Sequence, residues 1–181
     1  MTFEEKTISS EVIYKGKILT LRRDKVTVVN GEAYREIIEH GGGATIIGIT
    51  NEGKMLMVRQ YRKPADRVVF EAPAGKIDPG EDPIVTAKRE LKEETGYTAD
   101  NIEFITQFYP SVGYDEEILY LYLATGLTPG ETDFDDNEAL DIEEWDVMEL
   151  HDMVMRGEIQ DGKTIIAILM AKEILEKRGR L

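Results

Sequence analysis

The chain has 181 residues, enough for one domain with a small added arm, and its 41% hydrophobic and 32% charged content is that of a folded protein. Asp and Glu outnumber Lys and Arg by 36 to 22, a formal charge of −14, so no electrostatic footprint for nucleic acid or an anionic membrane is present. The absence of cysteine excludes disulfides, thiolate catalysis and zinc–sulfur sites together. The first residues lack a signal-like apolar stretch, and the longest apolar run, near Thr164–Ala171, is too short to span a bilayer, so a soluble cytoplasmic protein is the expectation.

The first sixty residues read as strands. Tyr14–Lys17 suggests a turn between Ser10–Ile13 and Ile18–Val29, and Asn30-Gly31 is a hairpin signal with Ala33–Ile38 returning. Ala44–Thr50 and Met55–Tyr61 flank a second hairpin turn at Asn51–Lys54, entered through the glycines at 41–43. Residues 82–95 read as a helix, with Asp82 as N-cap, Pro83 at the first helical position and Gly96 as the left-handed stop. Strands follow at Ile102–Tyr109 and Ile118–Thr125, with a weaker candidate at Ile142–Val147, and helical patterns at Asp146–Arg156 and Gly162–Lys177 close the chain. Strands around one well-capped helix, with helices at the end, predict an α+β layered domain.

The central helix carries the chemistry. At about 100° per residue, Glu90, Glu93 and Glu94 share one arc, beside an apolar stripe of Ile84, Ala87 and Leu91. Like charges at this spacing repel, and a hard cation with oxygen ligands reverses that sign. Taken alone, the three glutamates are equally compatible with a solvated face paired to Lys88, Arg89 and Lys92. The preceding stretch adds weight: Gly75, five residues, Glu81, seven residues, then Arg89-Glu90-Leu91-Lys92-Glu93-Glu94-Thr95-Gly96-Tyr97, 23 positions in all.

This pattern resembles the signature of the Nudix hydrolase family at Gly75, Glu81, Arg89, Glu90, Leu91, Glu93, Glu94 and Gly96, with Tyr97 where the family usually has an aliphatic residue. The resemblance implies a Nudix-type α/β/α sandwich with a mixed sheet (residues 41–181) and an N-terminal β-strand arm (residues 1–40) that exchanges between the subunits of a homodimer. It implies Mg²⁺ or Mn²⁺ held by Glu90, Glu94 and the Ala74 carbonyl, with Glu93 binding or orienting. Arg89 and Glu81 would tie loop to helix.

Four further patches are similar to the ADP-ribose pyrophosphatase branch: Arg35–His40, Gln60-Tyr61-Arg62, Phe70–Gly75 and Phe108–Ser111. Arg35, Arg62, Glu71 and Glu117 are candidate substrate contacts: the arginines are expected at strand ends, where guanidinium forks can grip phosphate or ribose oxygens, and the glutamates match substrate-contacting positions of that branch. Cross-strand ion pairing is the alternative for both arginines, and a sheet-face position for both glutamates. His40 and His151 read as structural hydrogen-bonders. The branch usually has Ser-Pro-Gly where this chain has Ser111-Val112-Gly113, which leaves other nucleoside diphosphate sugars open.

The acidic run Asp133–Glu138 matches a loop that in this branch delivers a glutamate to the metal, making Glu138 the candidate for metal binding and for activating water. A rival reading places Asp133, Asp135, Asn137, Asp141 and Glu144 at EF-hand positions 1, 3, 5, 9 and 12, but Glu138 stands where the sharp turn demands glycine. A solvated loop without a role is the third reading. The expected function is metal-dependent cleavage of ADP-ribose, or a related nucleoside diphosphate sugar, to AMP and a sugar phosphate. A non-catalytic nucleotide-sensing domain is the alternative, disfavoured because every signature glutamate is present.

Overall fold

The computed structural model describes residues 3–133 and 140–181. The chain divides into two compact units, Met1–Gly42 with Phe108–Ile118, and Gly43–Gln107 with Leu119–Leu181.

The first unit is an antiparallel sheet of β1 (Thr7–Lys15), β2 (Leu19–Val28) and β3 (Gly31–His40), in that order. The Asn30-Gly31 turn forms as expected, with Gly31 at φ +118°, whereas β1 runs on through Tyr14 and turns only at Gly16. Charged residues on neighbouring strands pair across the sheet: Arg23 with Glu11, Lys25 with Glu32, and Arg22 with Glu39 at 2.5 Å. Such exposed pairs contribute about 0–1 kcal/mol each. The segment Phe108–Ile118 joins this unit because Ile38 donates its N–H to the Tyr114 carbonyl at 2.7 Å and accepts from Glu116 N–H at 3.1 Å.

The second unit has two sheets. One has the order β7 (Ala74–Lys76), β4 (Gly43–Gly48), β9 (Leu119–Thr128), β8 (Thr98–Phe108); β4 runs parallel to β9 and antiparallel to β7, so the sheet is mixed. The other has the order β10 (Asp141–Trp145), β5 (Met55–Arg62), β6 (Arg67–Glu71). β6 and β7 were not read as strands from the sequence. They are short, and Pro73 interrupts them. Arg59 stacks 4.4 Å over the Phe70 ring and pairs with Glu143 at 2.5 Å, fixing β10 beside β5.

Helix α1 (Pro83–Thr95) starts at Asp82, whose carboxylate accepts the Ile84 N–H, and ends at Gly96 with φ +76°. Its Ala87 and Leu91 are buried against Ala44, Ile46, Tyr122 and Ala124, with Ile84 and Tyr97 packed at the edge. Alternation sends Ile47 to the opposite face of β4, and β4 also packs against α3 (Gly162–Lys177), whose inner face is Ala167, Ile168 and Ala171. Helices α1 and α3 thus cover the central sheet, and α2 (Val147–Met155) packs on α3. No helix among the described residues is long and apolar enough to cross a membrane.

Candidate active site

The signature stretch folds around Arg89. Its guanidinium donates to Glu81 Oε2 at 3.2 Å, Glu90 Oε1 at 2.7 Å, Glu93 Oε2 at 3.0 Å and the Lys76 carbonyl at 3.2 Å, tying β7, the loop and α1 together as expected. Burial disfavours the Arg89 charge, yet these carboxylates raise its pKa above the usual guanidinium value. Arg89 and Thr86 in turn hold the Glu81 carboxyl down to about 2. Glu94, only 4% exposed, accepts the Ala74 N–H at 3.0 Å, so the strand carrying the Ala74 carbonyl is pinned to the helix that carries the glutamates.

Gly75 is there for space. A Cβ at that position would lie 1.8 Å from the Glu90 carboxyl carbon, so any side chain would displace the carboxylate. The far end of α1 is also closely packed: Lys92 Nζ donates to the Gly96 carbonyl at 3.2 Å and the Glu131 carbonyl at 2.5 Å, and Glu93 O accepts Asp133 N–H at 3.1 Å. Glu138 itself lies outside the described residues.

The donor set fits a hard divalent cation. Glu81, Glu90, Glu93 and Glu94 supply only oxygen; the first three gather around the Arg89 guanidinium, and Glu94 is held beside them by the Ala74 N–H. Glu90 and Glu93 are drawn to Arg89 rather than to one another, and among the described residues no three acidic or histidine side chains converge tightly enough to enclose an ion.

Arg62, at the end of β5, grips Glu71, at the end of β6, with Nε on Oε1 at 2.7 Å and Nη2 on Oε2 at 2.9 Å. Glu71 is 2% exposed, and its second cation is Lys163 at the start of α3. Burial alone would push the Glu71 carboxyl up, but Arg62 and Lys163 together hold it below the ordinary carboxylate value. Lys163 escaped the sequence reading. Its signal was a lysine in the first turn of the helical pattern at Gly162–Lys177, two residues after the Asp161 that caps it in the structure.

The other two candidates lie in the first unit. Arg35 is in the middle of β3, opposite Asp24, not at a strand end as expected, and its guanidinium holds Glu5 at 2.5 and 2.9 Å. Glu117 lies 3.1 Å from His40 Nδ1, which also accepts the Gly42 N–H. Both arginines are thus in ion pairs, but Arg62 meets the buried Glu71 instead of an exposed acid, and the Glu5 that meets Arg35 lies ahead of β1.

The NUDIX domain model matches residues 39–167, well over half of the chain. The chain belongs to the NUDIX family. A second model, of the nucleoside diphosphate sugar hydrolase N-terminal domain, matches residues 5–34 of this NUDIX protein. It is 43% identical to a methanol dehydrogenase activator of Bacillus methanolicus, covering 97% of this chain and 98% of the relative. It is 42% identical to an ADP-ribose pyrophosphatase of Bacillus subtilis strain 168, covering 97% of each. A crystal structure of an ADP compounds hydrolase superposes with a TM-score of 0.88 over 100% of this chain and 99% of that one; at 21% identity it speaks for the fold.

Two departures from the family pattern now have a physical setting. Tyr97 packs at the edge of the α1 core and donates its hydroxyl to Glu144 Oε1 at 2.7 Å, a bond no aliphatic residue makes. Val112 is 79% exposed, so the position of the missing proline is solvated. The EF-hand reading fails because Asp141 and Glu144 belong to β10, paired with β5, where a calcium loop would be turning into its exit helix.

Proposed function

We propose that this NUDIX hydrolase cleaves the diphosphate bridge of ADP-ribose, or of a closely related nucleoside diphosphate sugar, to AMP and a sugar phosphate. The observation that carries the reading is the excess of carboxylate oxygen packed around Arg89 beside the Ala74–Glu94 pin. Relatives named ADP-ribose pyrophosphatase, aligned over nearly the whole chain, support the choice of substrate.

Glu90, Glu94, Glu138 and the Ala74 carbonyl are the residues that would hold Mg²⁺ or Mn²⁺. When bound, such an ion neutralises the diphosphate, lowers the pKa of a bound water and stabilises the leaving phosphate. Water adds to one phosphorus, and the bridging oxygen leaves with the other. Glu138 or Glu93 accepts the proton of that water, a step for which no nucleophilic side chain is needed. Arg62 binds a phosphate oxygen while braced on Glu71; Glu71, Arg35 and Glu117 are the remaining assigned substrate contacts.

Residues 1–40 act as a dimerisation arm to the hydrolase domain at 41–181, and the working protein is a cytoplasmic homodimer with no nucleic-acid or membrane partner. Ile8, Val12, Ile13 and Tyr14 of β1 stand about half exposed or more, which favours a second copy as their cover. Light scattering should report about 41 kDa, twice the 20.5 kDa of one chain. A monomer mass would remove the dimer.

The test of function is a panel of ADP-ribose, other nucleoside diphosphate sugars and diadenosine compounds, each with Mg²⁺ and with Mn²⁺. AMP release is expected to be fastest from ADP-ribose. Failure to cleave any diphosphate with either metal would overturn the reading.

A further inference from the structure

The start of α3 is joined to the end of β6 by a compact polar cluster. Asp161 caps the helix, accepting the Thr164 N–H at 3.0 Å and the Thr164 hydroxyl at 2.6 Å. Thr164 Oγ1 accepts the Ala72 N–H at 2.8 Å, and the Lys163 ammonium donates to Glu71 Oε2 and, at 3.0 Å, to Asp161 Oδ2. The Lys163 side chain is only 13% exposed. A lysine serving solubility would leave its ammonium in water, and holding this long side chain still costs rotamer entropy.

Two features separate the cluster from a plain helix anchor. Glu71 is shared: Arg62 and Lys163 both hold its Oε2, while Arg62 Nε holds Oε1. The cluster also opens onto a cleft of about 380 Å³, lined by Arg62, Glu71, Asp161 and Lys163, with Arg67 and Gln160 at 2.5 Å from each other on its wall. The Arg62 charge also interacts favourably with Glu94, on the face of α1 that carries the candidate metal ligands.

We propose that Lys163 is a positioning residue for diphosphate binding: by fixing one oxygen of Glu71, it sets the carboxylate on which Arg62 is braced and so the place where Arg62 meets the substrate. The inference rests on the function proposed above. Without Lys163, Arg62 would be the sole counter-ion of Glu71 among the described residues, and the carboxylate, no longer held at Oε2 from α3, would shift and carry the guanidinium with it. Arg62 grips the substrate before and during reaction alike, so its misplacement raises KM with little change in kcat.

The experiment is a double-mutant cycle on the full chain with Lys163→Met and Arg62→Gln, assayed on the cleaved nucleoside diphosphate with Mg²⁺. Lys163→Met alone should raise KM about tenfold and change kcat by less than about threefold. Lys163→Arg should restore most of the loss. In the Arg62→Gln background, Lys163→Met should add no further rise in KM, because the effect runs through Arg62. Should the methionine variant fail to fold, Lys163→Gln carries the same cycle. An unchanged KM, or the same rise with and without Arg62, overturns the assignment of Lys163 even if the wild type hydrolyses normally. A wild type that cleaves no diphosphate would instead sink the hydrolase reading.

Discussion

β1 and β4 are both regular strands, yet all nine residues of β1 are exposed and all six of β4 are buried. The apolar content of the two is not very different: β1 carries two isoleucines, a valine and a tyrosine, β4 two isoleucines and an alanine. What separates them is the number of covered faces. β4 has helices on both sides and a strand at each edge, whereas the first unit's sheet relies on cross-strand ion pairs. The lesson is that burial, rather than strand propensity, decides which region can hold a carboxylate cluster rigid. The glutamates and Gly75 sit on elements packed against β4.

The strongest way to break that contrast is at Glu94. Glu94→Gln keeps an oxygen to accept the Ala74 N–H but removes the charge, so turnover should fall by about a thousandfold or more, roughly 4 kcal/mol, with circular dichroism unchanged. Near-normal activity would remove the metal assignment.

Stability should divide along the same line. Ile46→Ala should cost about 2–5 kcal/mol in urea unfolding, against less than about 0.5 for Val12→Ala in a dilute, monomeric sample. Comparable losses would mean that β1 is as well covered as β4, and a Val12→Ala cost that appears only at high concentration would locate the cover in a second copy.

Acid stability offers a subtler probe. The folded Glu81 carboxyl sits at about 2, well below the ordinary value of 4.5. Its contribution is therefore complete above pH 4.5 and is lost as pH falls towards 2. Glu81→Gln should flatten the stability profile in that window; an unaltered profile would show that Arg89 does not hold Glu81 in solution. The smallest effect should come from Tyr97→Phe, which loses the bond to Glu144 and about 1 kcal/mol while keeping the ring in the core. A melting temperature unaffected by that change would leave the departure at Tyr97 unexplained.

Local signals were legible wherever a short stretch set its own geometry. The capped helix at 83–95 and the Asn30-Gly31 turn lie where the residues placed them; the strands flanking 51–54 also form, but β4 and β5 join different sheets and share only the Ile49–Met55 bridge instead of the expected hairpin. β6 and β7 were not legible. Each owes its existence to a neighbour, β6 to β5 and β7 to β4, and three to five residues carry little periodicity of their own. At the site, the glutamate arc followed from helix spacing, and the Arg89–Glu81 tie from the resemblance to the family signature. The mid-strand position of Arg35 and the sharing of Glu71 by Arg62 and Lys163 did not, since those partners meet only through strand register and the docking of α3.

The sequence by itself determined the acidic signature, its helix and, through them, membership of the NUDIX family, because caps, spacing and charge act within a few residues of chain. Only the tertiary structure decided which cation answers which carboxylate. A buried charge must be matched by whatever the fold brings within about 3 Å, and for Glu71 that includes a lysine 92 positions away.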